Sequence, residues 1–188
     1  REVVVDADAQ VPLGHHLDAD GGVVLHDALL HVGRVGRHQA QAVPQAMLAN
    51  LWTAEFEQPD GGVLKVADFQ GKPLVLNFWA TWCAPCVQEM PHLDSMAKEF
   101  PEIKFVGIGI DTAQNIAQFV AKLPVSYQLL IAGHAGIAMV RELGNSAGGL
   151  PFTLLFDANG SIFDSILGQV EPTDLRQRID RLVAKSKT

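Results

Sequence analysis

The feature that most constrains this chain is a continuous strand-like run, LVLNFW at Leu74–Trp79, which leads into the sequence Cys-Ala-Pro-Cys. All but one of its residues are apolar, which is typical of a central strand covered on both faces of a sheet. From Val87 to Phe100, apolar residues recur at helical spacing, so a helix is predicted directly after the cysteines. The two cysteines of the chain therefore lie at a junction between a buried strand and a helix.

This junction gives the two cysteines different chemistry. Cys83 lies where the helix begins, and the free backbone N–H groups and helix dipole there stabilise an anion. Such positions lower the pKa of a thiol from about 8.5 to between roughly 3.5 and 7.5. Cys83 is therefore predicted to attack a partner disulfide, and Cys86, one turn further on, to resolve the mixed disulfide. Pro85 is tolerated in the first turn, and Trp82 is expected to form an apolar surface beside the sulfurs.

Three other interpretations of the cysteine pair are weaker. A closed zinc site needs four ligands, and the chain has no second cysteine pair. A bridge that spans only two residues closes too short a loop to stabilise the fold through chain entropy. Inert core thiols would leave the strand-to-helix placement unexplained. No metal site is therefore predicted.

Composition excludes some classes of function. The net charge is -7, which argues against a nucleic-acid surface, because phosphate binding requires clustered Lys and Arg. No apolar run approaches the length of a membrane span. The first residue is Arg rather than Met, and a signal peptide or anchor upstream stays an open question.

Residues 1–46 differ in composition from the rest of the chain. They contain no Phe, Trp, Tyr or Lys, and they carry five of the seven histidines, at His15, His16, His26, His31 and His38. We predict a low-complexity extension that is disordered or mis-assigned, because it has few large side chains to bury. A histidine-rich metal-binding tail is the alternative, and it is less favoured because no histidine pair has i, i+4 spacing in a convincing helix. Residues 47–188 form the predicted domain.

The pattern of this domain predicts an α/β sandwich with a mixed sheet. An N-terminal pair of short strands is expected at 51–56 and 63–66, before the central strand. After the cysteine helix, strands at 103–110 and 126–132 alternate with helices at 112–123 and 135–143. A hairpin at 152–167 and a C-terminal helix at 172–185 complete the prediction.

Two motifs make residues 47–188 resemble the thioredoxin superfamily, and specifically its TlpA/ResA-like branch. The first is NFWATWCAPC with the following Glu89-Met-Pro91, and the second is LPFTLLFD at 150–157. The resemblance implies a thioredoxin-like fold, with a mixed central sheet flanked by helices. It also implies the helix–strand insertion of that branch between Thr112 and Gly149.

The same resemblance implies roles for individual residues. Cys83 and Cys86 would be the redox pair, joined as a disulfide, and no organic cofactor is implied. Pro151 would be cis and face the disulfide, and the backbone of Leu150 would pair with an extended partner segment. Pro91 would kink the active-site helix, because it removes a mid-helix donor.

Glu89 has two interpretations. It is either a solvated helix residue or a partly buried acid near the sulfurs. In the second case desolvation raises the pKa of Glu89, and its carboxyl can exchange a proton with Cys86. Plain thioredoxins have a buried aspartate where this chain has Asn77, and an amide cannot relay a proton. This departure favours Glu89 as the proton handler, with Asn77 as a hydrogen-bonded strand residue.

The sequence predicts a protein thiol-disulfide oxidoreductase. Family resemblance indicates a monomeric reductant of protein disulfides in the periplasm or cell envelope, supplied by a membrane electron donor. The implied clients are haem-attachment cysteines in cytochrome c biogenesis or copper-site cysteines of an oxidase. Residues 144–149 lack the acidic GVxGxPE-type sequence of dedicated cytochrome c maturation reductases, which weakens the first client class.

A binding role is the alternative from a different class. Soft thiolates suit Cu(I), so the dithiol could serve a copper-handling protein in oxidase assembly. A cis-proline beside the pair tends to block such ligation, and His134 is the spare candidate ligand.

Overall fold

The computed structural model describes residues 43–186, so the predicted N-terminal extension lies outside the described residues as far as residue 42. The strands are β1 (Glu55–Glu57), β2 (Val63–Lys65), β3 (Leu74–Trp79), β4 (Lys104–Gly109), β5 (Gln128–Ile131), β6 (Phe152–Phe156) and β7 (Ile162–Leu167). The helices are α1 (Gln45–Thr53), α2 (Ala84–Glu99), α3 (Ala113–Lys122), α4 (Gly136–Glu142) and α5 (Pro172–Ser186), with a 3-10 turn at Val66–Phe69. None of these described helices has the length and apolar character that crossing a membrane requires.

The strands form one mixed sheet in the order β2-β1-β5-β4-β3-β6-β7, with helices around it. β3 is central, parallel to β4 and antiparallel to β6, and all its residues are buried. The predicted thioredoxin-like α/β class is confirmed. α3, β5 and α4 lie between Thr112 and Gly149, and their description as an insertion stays a prediction.

The strand predicted at 51–56 is wrong in its first half. Residues 51–53 form the last turn of α1, and only Glu55–Glu57 is strand. Leu48 and Leu51 are three residues apart on one face of α1, and both are buried in the core. Trp52 packs edge-on against Phe156, with ring centroids 5.1 Å apart. This helix begins at Gln45, two residues ahead of residue 47, and the domain boundary at residue 47 stays a prediction.

Two register relations of the sheet position the functional site. Asn77 of β3 lies opposite Gly107 of β4 and Thr153 of β6. Residues opposite each other share a face of the sheet, and Asn77 bonds to Glu89 of α2 across that face. The β3–α2–β4 crossover therefore lays the cysteine helix over these three positions.

Candidate active site

The two cysteines lie at the start of α2 and form a disulfide, with their Cα atoms 5.3 Å apart. Cys83 is the N-cap residue of α2, and its Sγ accepts a hydrogen bond from the Cys86 backbone N–H at 3.3 Å. Cys83 is 6% exposed and Cys86 is 0% exposed. A partner sulfur can therefore reach Cys83, while Cys86 is available only from inside the protein.

Both prolines of this region lie within α2. Pro85 stands in the first turn, where no helical hydrogen bond is lost. α2 continues through Pro91 as far as Glu99. The predicted kink at Pro91 stays a prediction.

A buried carboxylate holds the turn that delivers Cys83 from β3 to α2. The Thr81 hydroxyl donates a hydrogen bond to Asp111, which follows β4 and is 1% exposed. Burial alone would raise the pKa of Asp111, but hydrogen bonds from Thr81, Asn115 and Thr112 bring it below its ordinary value. Asp111 is therefore an ionised anchor beside the active-site turn. The sequence analysis missed this role, because the hydrogen bond between Thr81 and Asp111 joins the ends of two different strands.

The peptide bond between Leu150 and Pro151 is cis. Phe152, the next residue, pairs with Phe78 near the end of β3, so the cis bond lies at the sheet edge where the cysteine turn emerges. The Pro151 carbonyl accepts a hydrogen bond from Gly168 N–H at 2.9 Å. The backbone of Leu150, in contrast, makes no hydrogen bond within the described part of the chain. It can therefore bond to an extended segment from outside.

Exposed apolar side chains occur at the same edge of the sheet. Trp82 is 63% exposed and Leu167 is 64% exposed, which is unusual for large apolar groups among residues 43–186. Leu167 ends β7 and lies near Gly149, one residue before Leu150: its Cδ1 would be 3.8 Å from an ideal Cβ at that glycine. The sequence analysis named Trp82 but missed Leu167, because only the β6–β7 pairing brings β7 to this edge.

Glu89 is completely buried, on the side of α2 that faces the sheet. Its Oε1 accepts a hydrogen bond from Asn77 Nδ2 at 2.7 Å, and its Oε2 accepts one from the Val170 backbone N–H at 2.7 Å. Burial raises the pKa of Glu89 to about 7, although the bonds from Val170 and Asn77 act in the opposite direction. The interpretation of Glu89 as a solvated helix residue is therefore wrong.

Asn77 holds the Glu89 carboxyl in place. Its Nδ2 donates to Glu89 and also to Thr153 Oγ1 at 3.0 Å. The amide does not ionise at neutral pH and so cannot relay a proton, but its N–H groups can orient and polarise the Glu89 carboxyl. His134, the spare ligand candidate, is exposed in the loop after β5, and no cluster of three or more metal-ligating side chains occurs in residues 43–186.

A disulfide at a strand-to-helix junction, with a cis-proline at the same edge of a mixed sheet, is the arrangement of the thioredoxin-like class. Comparison with known proteins agrees: residues 42–178 match the AhpC/TSA family, and the chain belongs to that family. The protein is a thioredoxin-like thiol-disulfide oxidoreductase, as its relatives' names also indicate.

Two curated relatives illustrate the similarity. Thiol-disulfide oxidoreductase ResA of Geobacillus thermodenitrificans (strain NG80-2) is 28% identical over 127 residues, which are 65% of this chain and 70% of the relative. The thioredoxin-like protein YneN of Bacillus subtilis (strain 168) is 28% identical over 151 residues, or 78% of this chain and 81% of YneN.

Solved structures show the same fold. MTB DsbF has a TM-score of 0.62 at 28% identity, covering 70% of this chain and 96% of DsbF. A DsbF homologue from Corynebacterium diphtheriae has a TM-score of 0.60 at 29% identity, covering 70% of this chain and 85% of the homologue.

Proposed function

We propose that Cys83 and Cys86 reduce disulfides of partner proteins in the bacterial cell envelope. The observation that carries this proposal is the asymmetry of the pair, with Cys83 reachable at the helix start and Cys86 enclosed. A nucleophilic cysteine must be accessible to the partner disulfide, whereas a resolving cysteine needs to attack only the sulfur of its neighbouring cysteine.

The exchange proceeds in two balanced steps. The Cys83 thiolate attacks one sulfur of the partner disulfide, forming a mixed disulfide and expelling the other partner sulfur as a thiolate. Cys86, as a thiolate, then attacks Cys83 Sγ, re-forms the internal disulfide and expels the second partner sulfur. Two electrons pass to the partner, whose two sulfurs take up protons, and a membrane electron donor restores the dithiol.

Glu89 would handle the proton of the resolving step. It lies one helical turn beyond Cys86, and its pKa of about 7 leaves it able to take or give a proton at neutral pH. The ionised acid accepts the Cys86 proton as the thiolate forms. When the exchange runs in the opposite direction, the protonated Glu89 carboxyl returns the proton to Cys86.

The partner would bind as an extended segment. The unpaired backbone of Leu150 offers strand-like hydrogen bonds, and Trp82 and Leu167 offer apolar contact at the same edge. Cysteine-containing segments of an apocytochrome c or of an oxidase copper site fit this mode. Proteins of this kind would act in the periplasm or cell envelope, here as a monomer.

A redox titration of the Cys83–Cys86 couple in defined thiol buffers tests the direction of electron flow. A potential of about -270 mV supports a reductant, whereas one of about -120 mV contradicts it and indicates an oxidant. The variant Cys86→Ser should accumulate a mixed disulfide with a model substrate, and Cys83→Ser should form none. Binding of one Cu(I) per chain with no reduction of the model disulfide would favour the copper-handling alternative.

A further inference from the structure

A second set of buried polar atoms lies on the sheet face that α2 covers, and the exchange steps above do not use it. Asn77 Oδ1, the indole Nε1 of Trp79 and the hydroxyl of Tyr127 are buried and have no hydrogen-bond partner among the described residues. Buried polar groups are nearly always hydrogen-bonded, so each of these atoms requires an explanation.

Gly107 of β4 lies beside all three of these side chains. It lies opposite Asn77 in the parallel pairing of β3 and β4. An ideal Cβ at Gly107 would stand 2.7 Å from Leu129 Cδ2, 3.2 Å from Trp79 Nε1 and 3.2 Å from Tyr127 Cε2. Because glycine has no side chain, the indole, the phenol ring and the amide can approach the same strand position.

The chemistry of the three atoms matches the needs of one water molecule. Asn77 Oδ1 accepts, Trp79 Nε1–H donates, and the Tyr127 hydroxyl can do either. Buried waters typically make about three hydrogen bonds to groups that otherwise have none. We propose that these atoms hold a water molecule that extends the Glu89–Asn77 hydrogen bond, making Tyr127 and Trp79 positioning residues for the Glu89 carboxyl.

The water would act on Glu89 through the Asn77 amide. A water that donates to Asn77 Oδ1 polarises the amide, so its Nδ2–H becomes a stronger donor to Glu89 Oε1, 2.7 Å away. A stronger donor stabilises the carboxylate and lowers its affinity for a proton. Tyr127 contributes by donating to the water.

The charges around Tyr127 agree with this placement. Burial first, and then the charges of Glu89 and Asp94, raise the pKa of Tyr127 above its ordinary value, so Glu89 acts electrostatically on the phenol. Asp94 is itself paired with Lys98 at 2.6 Å. Uncharged side chains contact the cluster from the sheet and α3: Leu129 beside Gly107, Thr153 beside Asn77 and Phe119 beside Trp79, with Ile116 beside Gly109 on the same face.

The single tyrosine of the chain allows a test with two opposite perturbations. In the oxidised full-length protein, the Glu89 carboxyl is titrated by 13C NMR. Tyr127→Phe removes the donor and should raise the Glu89 midpoint by about half a pH unit or more. Replacement of tyrosine by 3-fluorotyrosine, a stronger donor, changes only Tyr127 and should lower the midpoint. Ile116→Val, which trims a buried side chain on the same face without removing a polar atom, should leave it unchanged.

The outcomes separate the water site from general packing. Three results would each overturn the inference. The Glu89 midpoint could be equal in all proteins, it could shift with the same sign for both tyrosine changes, or it could shift equally in Ile116→Val. A high-resolution crystal structure should show an ordered water bonded to Asn77 Oδ1. The absence of such a water would also overturn the inference. The inference rests on the proposed function for its purpose, but the NMR midpoint needs no reductase activity. A failure of the exchange assays would therefore leave this result standing.

Discussion

Glu89→Gln tests how strongly burial acts on the acid under the active-site helix. The pKa of Glu89 rises from 4.5 to about 7 on folding, since burial removes its carboxyl from water. Between these values the folded protein binds more protons at Glu89 than the unfolded chain does. Glu89 therefore contributes stability that is fully present below about pH 4.5 and is lost as the pH rises through about 7.

The size of the effect follows from the shift. Each pKa unit corresponds to about 1.4 kcal/mol, so the free energy of unfolding should fall by up to about 3 kcal/mol between pH 4.5 and 8.5. Glu89→Gln should remove this slope. The variant keeps much of the local bonding if the Asn77 amide turns over, because Asn77 Oδ1 then faces position 89 and can accept a hydrogen bond from the new amide.

Urea denaturation of the oxidised protein measures the slope, since disulfide-bonded cysteines do not titrate. The wild type and Glu89→Gln are compared at several pH values, with the exposed Glu142→Gln as a matched control that should follow the wild type. If the wild type and Glu89→Gln show the same pH dependence, the argument that burial controls this acid is refuted.

Three further predictions concern the edge of the sheet beside the disulfide. Trp82→Ala and Leu167→Ala should each raise KM for a disulfide-containing peptide several-fold and change the free energy of unfolding by less than about 0.5 kcal/mol. Val63 is 58% exposed on the far strand β2, so Val63→Ala should change neither quantity. A rise in KM with Val63→Ala would argue against a local docking surface. Thr81→Val should cost about 1–3 kcal/mol in chemical denaturation and slow exchange, because it leaves the Asp111 carboxylate short of a donor. Since the pKa of Asp111 is lowered in the folded protein, its stabilising contribution should hold above about pH 4 and disappear on acidification. If Asp111→Asn loses unfolding free energy at acid pH in the same way as the wild type, this prediction is contradicted.

The error at α1 shows a limit of pattern reasoning over short segments. From Trp52 to Phe56 apolar and polar side chains alternate, which fits a strand, but Leu48 and Leu51 also fit one face of a helix. Packing decides between them, because a helix places Leu51 in the core and Trp52 against Phe156 of β6. Phe156 is about a hundred residues away along the chain, so a local window does not contain this contact.

The strand, the cysteine pair and the helix after them follow from the sequence alone. Their hydrophobic periods and the position of Cys83 at a helix start are local properties, and over a buried strand and a helix of this length the period indicates the structure. The state of Glu89 is decided by tertiary structure. Its carboxyl is held by Asn77, 12 residues away, and by the backbone of Val170, 81 residues away. A pKa depends on how much water surrounding groups remove, so only the assembled fold turns this acid into a candidate proton carrier.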